Sequence, residues 1–278
     1  MNLIENVPAR RFQDGQAVPV ADPVINEVRV EIQINDSQAR LAMLCLPENL
    51  EALAVGFMRS EGLLRRREDL TSVQASLDER KVFIRGDFDQ QAMDRLQHRW
   101  TWGVGCGGGG TSRDLDKPVY ASVGEGLVLG EARLIELVAQ FQTRLDLWRQ
   151  TGGVHACVLA DASGLGLLAE DVGRHNAFDK VIGLALLQDV ELADKLLICT
   201  GRLSAELVSK AVAVALPFLA TRGAVTTLAV DLARRFGLTL VGFVRGRRLN
   251  VYSGFQRVIA GGGANPPAET SHDDREGT

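Results

Sequence analysis

Apolar and polar residues alternate with a period of two over Val28-Arg-Val-Glu-Ile-Gln-Ile34, which predicts a strand with one buried face. Asn35-Asp36-Ser37 supplies turn chemistry, and Leu41–Leu46 reads as the returning partner of a hairpin. Pro47 opens a helix running to about Met58, with Leu50, Leu53, Ala54 and Phe57 on one face. A second hairpin follows over Ser72–Ile84, then a short helix near Gln90–Arg99. Together these form a small α+β unit over residues 24–118, which includes the glycine run Gly103-Val-Gly-Cys-Gly-Gly-Gly-Gly110.

Beyond it the pattern changes. Leu134, Ile135, Val138, Phe141, Leu145 and Trp148 form a helical stripe over Glu131–Arg149. Strands over Val154–Ala160, Leu165–Ala169, Lys195–Cys199, Pro217–Ala220 and Leu238–Val244 then alternate with helices over Asn176–Leu187, Ser204–Ala215 and Thr226–Phe236, the last closed by Gly237. This rhythm predicts a layered α/β domain over residues 119–260 with a largely parallel sheet. The flanking segments, residues 1–23 with three prolines and the Gly/Pro-rich and polar residues 261–278, read as loose tails with too little apolar surface to offset ordering entropy.

Composition is that of a soluble globular protein: 46% apolar and 24% charged residues in 278. A net charge of −4 argues against bulk binding to nucleic acid. The uncharged stretch Ala211–Thr221 is bounded by Lys210 and Arg222 and is far shorter than the ~20 residues of a spanning helix. Residues 1–11 contain no apolar core of a secretory signal. The four cysteines, Cys45, Cys106, Cys157 and Cys199, show no paired spacing. Three lie in strand-like runs and are expected to be buried thiols in a reducing cytoplasm.

Cys106 differs, because glycines surround it and leave nothing bulky to bury it. A thiol on such a backbone is open to another protein's active site, and Arg113 nearby favours the reactive thiolate; the plain alternative is a glycine linker that happens to hold a cysteine. Two βα junctions, Asp171-Val-Gly-Arg-His-Asn176 and Thr200-Gly-Arg-Leu-Ser204, put Arg174, His175 and Arg202 where helix N-termini offer free N–H groups to phosphates. Ordinary capping with solvated arginines explains the same residues. Phe243, Val244, Arg245, Gly246, Arg247 and Arg248 end the last long strand; they suit either a pyrophosphate grip or a charged hairpin tip. His155, with Cys157 two residues on, lacks the glutamate and paired cysteines of a zinc deaminase.

The ordered series Thr151-Gly-Gly-Val-His155, Glu170-Asp-Val-Gly-Arg-His-Asn-Ala177 with Asp179-Lys180, Thr200-Gly-Arg-Leu-Ser204 with Glu206, Thr227-Leu-Ala-Val-Asp-Leu-Ala233 and Gly242-Phe-Val-Arg-Gly-Arg-Arg-Leu-Asn-Val-Tyr252 closely resembles the FdhD family of formate dehydrogenase accessory sulfurtransferases. The resemblance implies a core similar to the cytidine-deaminase fold without its zinc, and a cytoplasmic homodimer. It also implies a function. Sulfur would pass from a cysteine desulfurase, as a persulfide on Cys106, to the molybdenum (or tungsten) bis(molybdopterin guanine dinucleotide) cofactor of formate dehydrogenase. The residues at 243–248, with Arg174, His175 and Arg202, would bind that cofactor, with no metal ligated by the protein, no nucleic acid and no membrane involved. One departure stands out: the family loop usually reads Cys-Gly-x-Cys-Gly, and its second cysteine falls here on Gly109. That substitution keeps a second reading open, a non-catalytic chaperone that binds the guanine dinucleotide and docks on formate dehydrogenase. A nucleotide-modifying enzyme is disfavoured, since neither metal ligands nor paired catalytic carboxylates stand out.

Overall fold

The computed structural model describes residues 2–36, 40–98, 101–102, 110–112, 115 and 121–261. The first unit opens with an antiparallel ribbon of β1 (Ile4–Gln13) and β2 (Gln16–Ile25). Then come β3 (Val28–Ile34), β4 (Arg40–Cys45), α1 (Leu50–Ser60), β5 (Leu70–Ser76), β6 (Lys81–Gly86) and α2 (Gln90–His98). The sheet order is β4-β3-β6-β5, with β3 and β6 parallel and the two hairpins antiparallel. Val28, Val30, Ile32 and Ile34 of β3 are all buried against Leu53, Phe57 and Met58 of α1, as the period-two pattern requires.

Two short strands, β7 (Thr101–Trp102) and β8 (Gly110–Thr111), pair with Trp102 opposite Gly110. The second unit runs β9 (Leu129–Gly130), α3 (Glu131–Thr143), α4 (Asp146–Thr151), β10 (His155–Ala160), β11 (Leu165–Asp171) and α5 (Arg174–Leu187). It continues β12 (Leu196–Cys199), α6 (Ala205–Ala213), β13 (Phe218–Thr221), α7 (Thr227–Arg235), β14 (Thr239–Arg245), β15 (Arg248–Ser253) and β16 (Val258–Ile259). The main sheet has the order β11-β10-β12-β13-β14-β15. One core, with Phe178, Leu207 and Leu232, covers the α5–α6–α7 face; another, with Leu134, Leu137 and Phe141, covers the α3 face. The result is an α/β protein with a small α+β unit beside a layered α/β unit.

Three expectations are corrected. The sheet is mixed: only β12, β13 and β14 run parallel to their neighbours, because β10–β11 and β14–β15 are hairpins that flank the parallel centre. The stripe over 131–149 is two helices, since the chain leaves helical geometry at Arg144 and Leu145. Residues 4–25 are not a loose tail but a ribbon of ten residues per strand, paired along their length and resting at Ile25 on Gly153.

The two units meet where α1 crosses α5 with no side chain between the backbones. A Cβ on Gly56 would stand 1.7 Å from the Asp179 carbonyl oxygen, and one on Gly183 would stand 1.8 Å from the Ala52 carbonyl oxygen. Ala52, Gly56 and Ser60 recur every four residues and form the smooth stripe that this approach needs. Alanine at Gly56 or Gly183 therefore has to push the helices apart. Urea denaturation should show Gly56→Ala to be less stable by about 3 kcal/mol or more, or unfolded. Gly164→Ala, where a Cβ meets nothing within 4 Å, should stay within about 0.5 kcal/mol of the parent.

Candidate functional site

The parallel strands β12, β13 and β14 end on one edge of the main sheet, and β11 ends and β10 begins on the same edge. A cleft of about 770 Å³ opens there. Its apolar wall is Phe141 of α3 with Leu145 and Trp148 at α4, and its polar side carries His155, Thr200, Arg149, Arg222 and Arg245. The α4 wall is held by Glu170, whose two carboxylate oxygens accept the Leu147 and Trp148 amides at 3.1 and 3.0 Å. Burial raises the Glu170 pKa, against those two amides, which favour the ionised form.

The floor is built from short hydrogen-bonded turns. Thr200 Oγ1 accepts the Ala156 amide at 3.0 Å and stands 3.4 Å from His155 Nδ1. Thr221 Oγ1 donates to the Gly201 carbonyl at 2.6 Å and accepts the Gly223 amide at 2.9 Å. Arg245 Nε donates to the Arg222 carbonyl at 2.9 Å, so the two arginines are fixed side by side. Phe243 stands at φ +52 in the irregular stretch of β14 between Gly242 and Arg245, with the Arg245 guanidinium 5.7 Å from its ring centre. An aromatic residue held in the left-handed region marks a strained backbone of the kind that gathers at binding sites.

The structure divides the sequence-predicted residues. Arg245 lines the cleft. Arg174 is buried behind the floor, where a Cβ on Gly201 would touch its Cδ at 3.2 Å and His155 Nδ1 at 3.3 Å. His175 is also buried, its Nε2 2.8 Å from Glu206 Oε2. Val244 points into the α3-side core, so its side chain does not face the cleft. Gly246 and Arg247 form the exposed turn between β14 and β15, Arg248 opens β15 and is exposed too, and Arg202 is exposed away from the cleft lining. Arg149, Arg222 and Trp148 were missed. Trp148 was visible only as the end of a helical stripe, while Arg149 and Arg222 belong to no glycine-rich motif.

The Asp171–Asn176 junction, read from sequence as a phosphate loop, joins the two units instead. Asp171 Oδ2 accepts the Leu46 amide at 3.0 Å and stands 2.7 Å from Lys180 Nζ, both side chains fully buried. Asn176 Nδ2 donates to the Leu44 carbonyl at 2.8 Å and to Asp171 Oδ1 at 2.9 Å. One turn along α5, Asp179 takes Lys210 Nζ at 2.5 Å and Ser60 Oγ at 2.6 Å. Lys210 in turn faces Glu61 Oε1 at 3.9 Å.

Glu61 is the last link. Its Oε2 accepts Thr111 Oγ1, the Ser112 amide and Ser112 Oγ at 3.1, 3.2 and 3.0 Å. The chain that emerges from β8 is thus tied to the interior. Cys106 lies among residues 103–109, between the paired strands β7 and β8 and outside the described residues. Cys45, Cys157 and Cys199 are buried, and burial pushes the Cys45 thiol up to about 12.

The sequence matches the FdhD/NarQ family over residues 25–259. The chain belongs to that family. Similar family members include the sulfur carrier protein FdhD of Wolinella succinogenes, 35% identical over 92% of this chain and 90% of that protein. Another is the sulfur carrier protein FdhD of Staphylococcus aureus strain MRSA252, 32% identical over 91% of this chain and 95% of that one. A crystal structure described as a formate dehydrogenase accessory protein from Desulfotalea psychrophila superposes with a TM-score of 0.76 at 24% identity, covering 93% of this chain and 100% of that one. That likeness fixes the family fold. Among the described residues, no helix is long and apolar enough to cross a membrane.

His175 gives this FdhD/NarQ chain a measurable pH dependence. Burial lowers its pKa from the ordinary 6.5, against the opposing pull of Glu206. A lowered folded pKa means that the unfolded state binds more protons, so this contribution is full above about pH 6.5 and is lost as the pH falls. Between pH 7 and 5 the unfolding free energy of His175→Gln should fall less steeply than that of the parent. The difference in slope is bounded by about 1.4 kcal/mol per pH unit, read by urea titration at each pH. The buried Asp179, whose pKa is raised, contributes with the opposite sign in both proteins and cancels in the comparison.

Proposed function

We propose that this chain is a cytoplasmic sulfur carrier that takes persulfide sulfur onto Cys106 from a cysteine desulfurase. It then passes the sulfur to a molybdenum bis(molybdopterin guanine dinucleotide) cofactor destined for formate dehydrogenase. The observation that carries this reading is the pairing of a retained loop cysteine with family relatives named sulfur carrier proteins at 35% and 32% identity over more than nine-tenths of the chain. In the first step the Cys106 thiolate attacks the outer sulfur of the donor's persulfide, forming a new S–S bond and releasing the donor's thiolate. In the second, the outer sulfur leaves for the acceptor, which supplies the two electrons that reduce it to sulfide, and Cys106 returns as thiolate.

The cleft suits the nucleotide end of such a substrate. Trp148 offers flat apolar surface to a purine, while Arg149, Arg222 and Arg245 offer charge to a pyrophosphate. The volume lies within the ordinary range of small-molecule sites. With Gly109 where the family usually has a second cysteine, transfer runs from Cys106 directly to the acceptor. That same substitution favours the chaperone reading, in which the cofactor is bound and delivered but Cys106 carries nothing.

Two measurements separate the readings. After incubation with a desulfurase and cysteine, the intact mass should rise by one sulfur atom, ~32 Da. Cys106→Ala should lose that increment and the activation of formate dehydrogenase while keeping GDP affinity; full activation by Cys106→Ala would establish the chaperone instead. Arg222→Ala with Arg245→Ala should weaken GDP binding about tenfold or more by calorimetry, since each charge-assisted contact is worth about 1.5–3 kcal/mol. Unchanged affinity would move the nucleotide out of the cleft.

A further inference from the structure

Two buried thiols have no part in the sulfur transfer proposed above. Cys157 of β10 and Cys199 of β12 are register partners on neighbouring antiparallel strands, and their Sγ atoms stand 3.2 Å apart. A buried cysteine by itself is an ordinary core residue. Packing asks only for apolar volume at such a pair and gives no reason for two sulfurs to face one another.

The strand ladder accounts for their closeness. The Thr200 amide donates to the Ala156 carbonyl at 3.0 Å, which makes Ala156 and Thr200 a hydrogen-bonded pair. Cys157 and Cys199 are the next pair along, so they exchange no ladder bonds with each other. Cα atoms in such a pair lie about 4.5 Å apart, just inside the roughly 4.4–6.8 Å that disulfides span. From 3.2 Å the sulfurs have only about 1.2 Å to close. A bond at the short end of the Cα range is strained, and strain makes a disulfide easy to reduce.

We propose that Cys157 and Cys199 are a reversible thiol–disulfide switch, closed by a small peroxide, that resets the floor of the cleft. Burial selects the oxidant. The two residues are 0% and 1% exposed, which shuts out a bulky disulfide but not a molecule little larger than water. Cys199 ends β12 and is among the residues lining the cleft, whereas burial and the neighbouring Cys199 raise the pKa of Cys157. Cys199 is therefore oxidised first. Its thiolate attacks hydrogen peroxide, keeps one oxygen as a sulfenic acid and releases hydroxide, which takes up the thiol's proton. The Cys157 sulfur then displaces the sulfenic hydroxyl, which leaves as water with the Cys157 proton as the S–S bond forms. Two thiols and one peroxide thus give one disulfide and two waters, and two equivalents of an external thiol reverse the change. The adjoining pair carries the effect. Thr200 Oγ1 accepts the Ala156 amide and stands beside His155 Nδ1, so drawing β10 and β12 together one residue away shifts the cleft floor.

The switch does not depend on the sulfur chemistry of Cys106, and Cys106→Ala gives the cleaner background. In that variant, treated with hydrogen peroxide while folded and then denatured without reductant, one thiol, Cys45, should alkylate where three did before. Peptide mapping should join Cys157 to Cys199, and dithiothreitol should restore all three thiols. Closure should change hydrogen exchange at the Ala156 and Thr200 amides by about threefold or more, and GDP affinity by a similar factor. Adding Cys157→Ala should keep the exchange and GDP affinity of the reduced form and abolish the response to peroxide. Thiols that stay free in peroxide overturn the proposal. So does oxidation that dithiothreitol does not reverse, or a disulfide that leaves both amides unchanged. A chain that binds no GDP in either state argues against the nucleotide reading above, and the amide exchange still decides for or against the switch.

Discussion

The arrangement depends on a crossing of α1 and α5 so close that neither helix places a side chain between them. Gly56 and Gly183 allow carbonyl oxygens of the opposing helix to lie where a Cβ would otherwise be. Glycine in a helix costs about 1 kcal/mol relative to alanine, which two helices in different units do not tolerate without a packing return. That return is placement. With backbones touching, Asp179 comes within hydrogen-bond reach of Ser60 at the end of α1, and Lys180 within reach of Asp171 and the Leu46 carbonyl. The buried charges follow from the crossing and would be indefensible without it.

Those charges are weak evidence for stability as such, since desolvation offsets most of what a buried ion pair returns. Their value is positional. Removing one partner strands the other in the interior at about 3–5 kcal/mol, so each pair admits one arrangement of the elements that carry it. Asp171, Asn176 and Lys180 fix the end of β4 against the start of α5. Asp179, Lys210 and Glu61 fix α5, α6, the end of α1 and the chain leaving β8.

Much of this fold was legible in the sequence where a single periodicity ruled. β3 buries every second residue as its alternation demands, and α7 ends at Gly237, which adopts φ +70. Legibility failed where two roles share one residue. The three prolines at residues 8, 19 and 23 read as breakers, yet each sits at an outward position where no ladder hydrogen bond is lost. Gly56 and Gly183 carry no signal in the hydrophobic pattern, and their role appears only against the opposing backbone. The arginine-bearing motifs drew attention to charge, but charge alone does not say which side of a strand end it faces. Arg245 faces the cleft; Arg247 and Arg248, two and three residues on, are exposed at the turn and at the start of β15 and do not line it. Arg222 joins the cleft because the Thr221 hydroxyl shapes the turn after β13, and the sequence signals no such geometry.

The two ends of α5 therefore carry different duties that one rigid element keeps in step. Its first turn puts Arg174 behind the Gly201 floor of the cleft, where its charge adds to burial in lowering the pKa of His155. Its middle turn supplies Asp179, whose contact with Lys210 leads to Glu61 and the stem at Thr111 and Ser112. A helix transmits displacement along its axis with little compression, because its hydrogen-bonded turns and the packed side chains around it have no slack. The cleft and the stem from which the cysteine-bearing segment departs are consequently parts of one body.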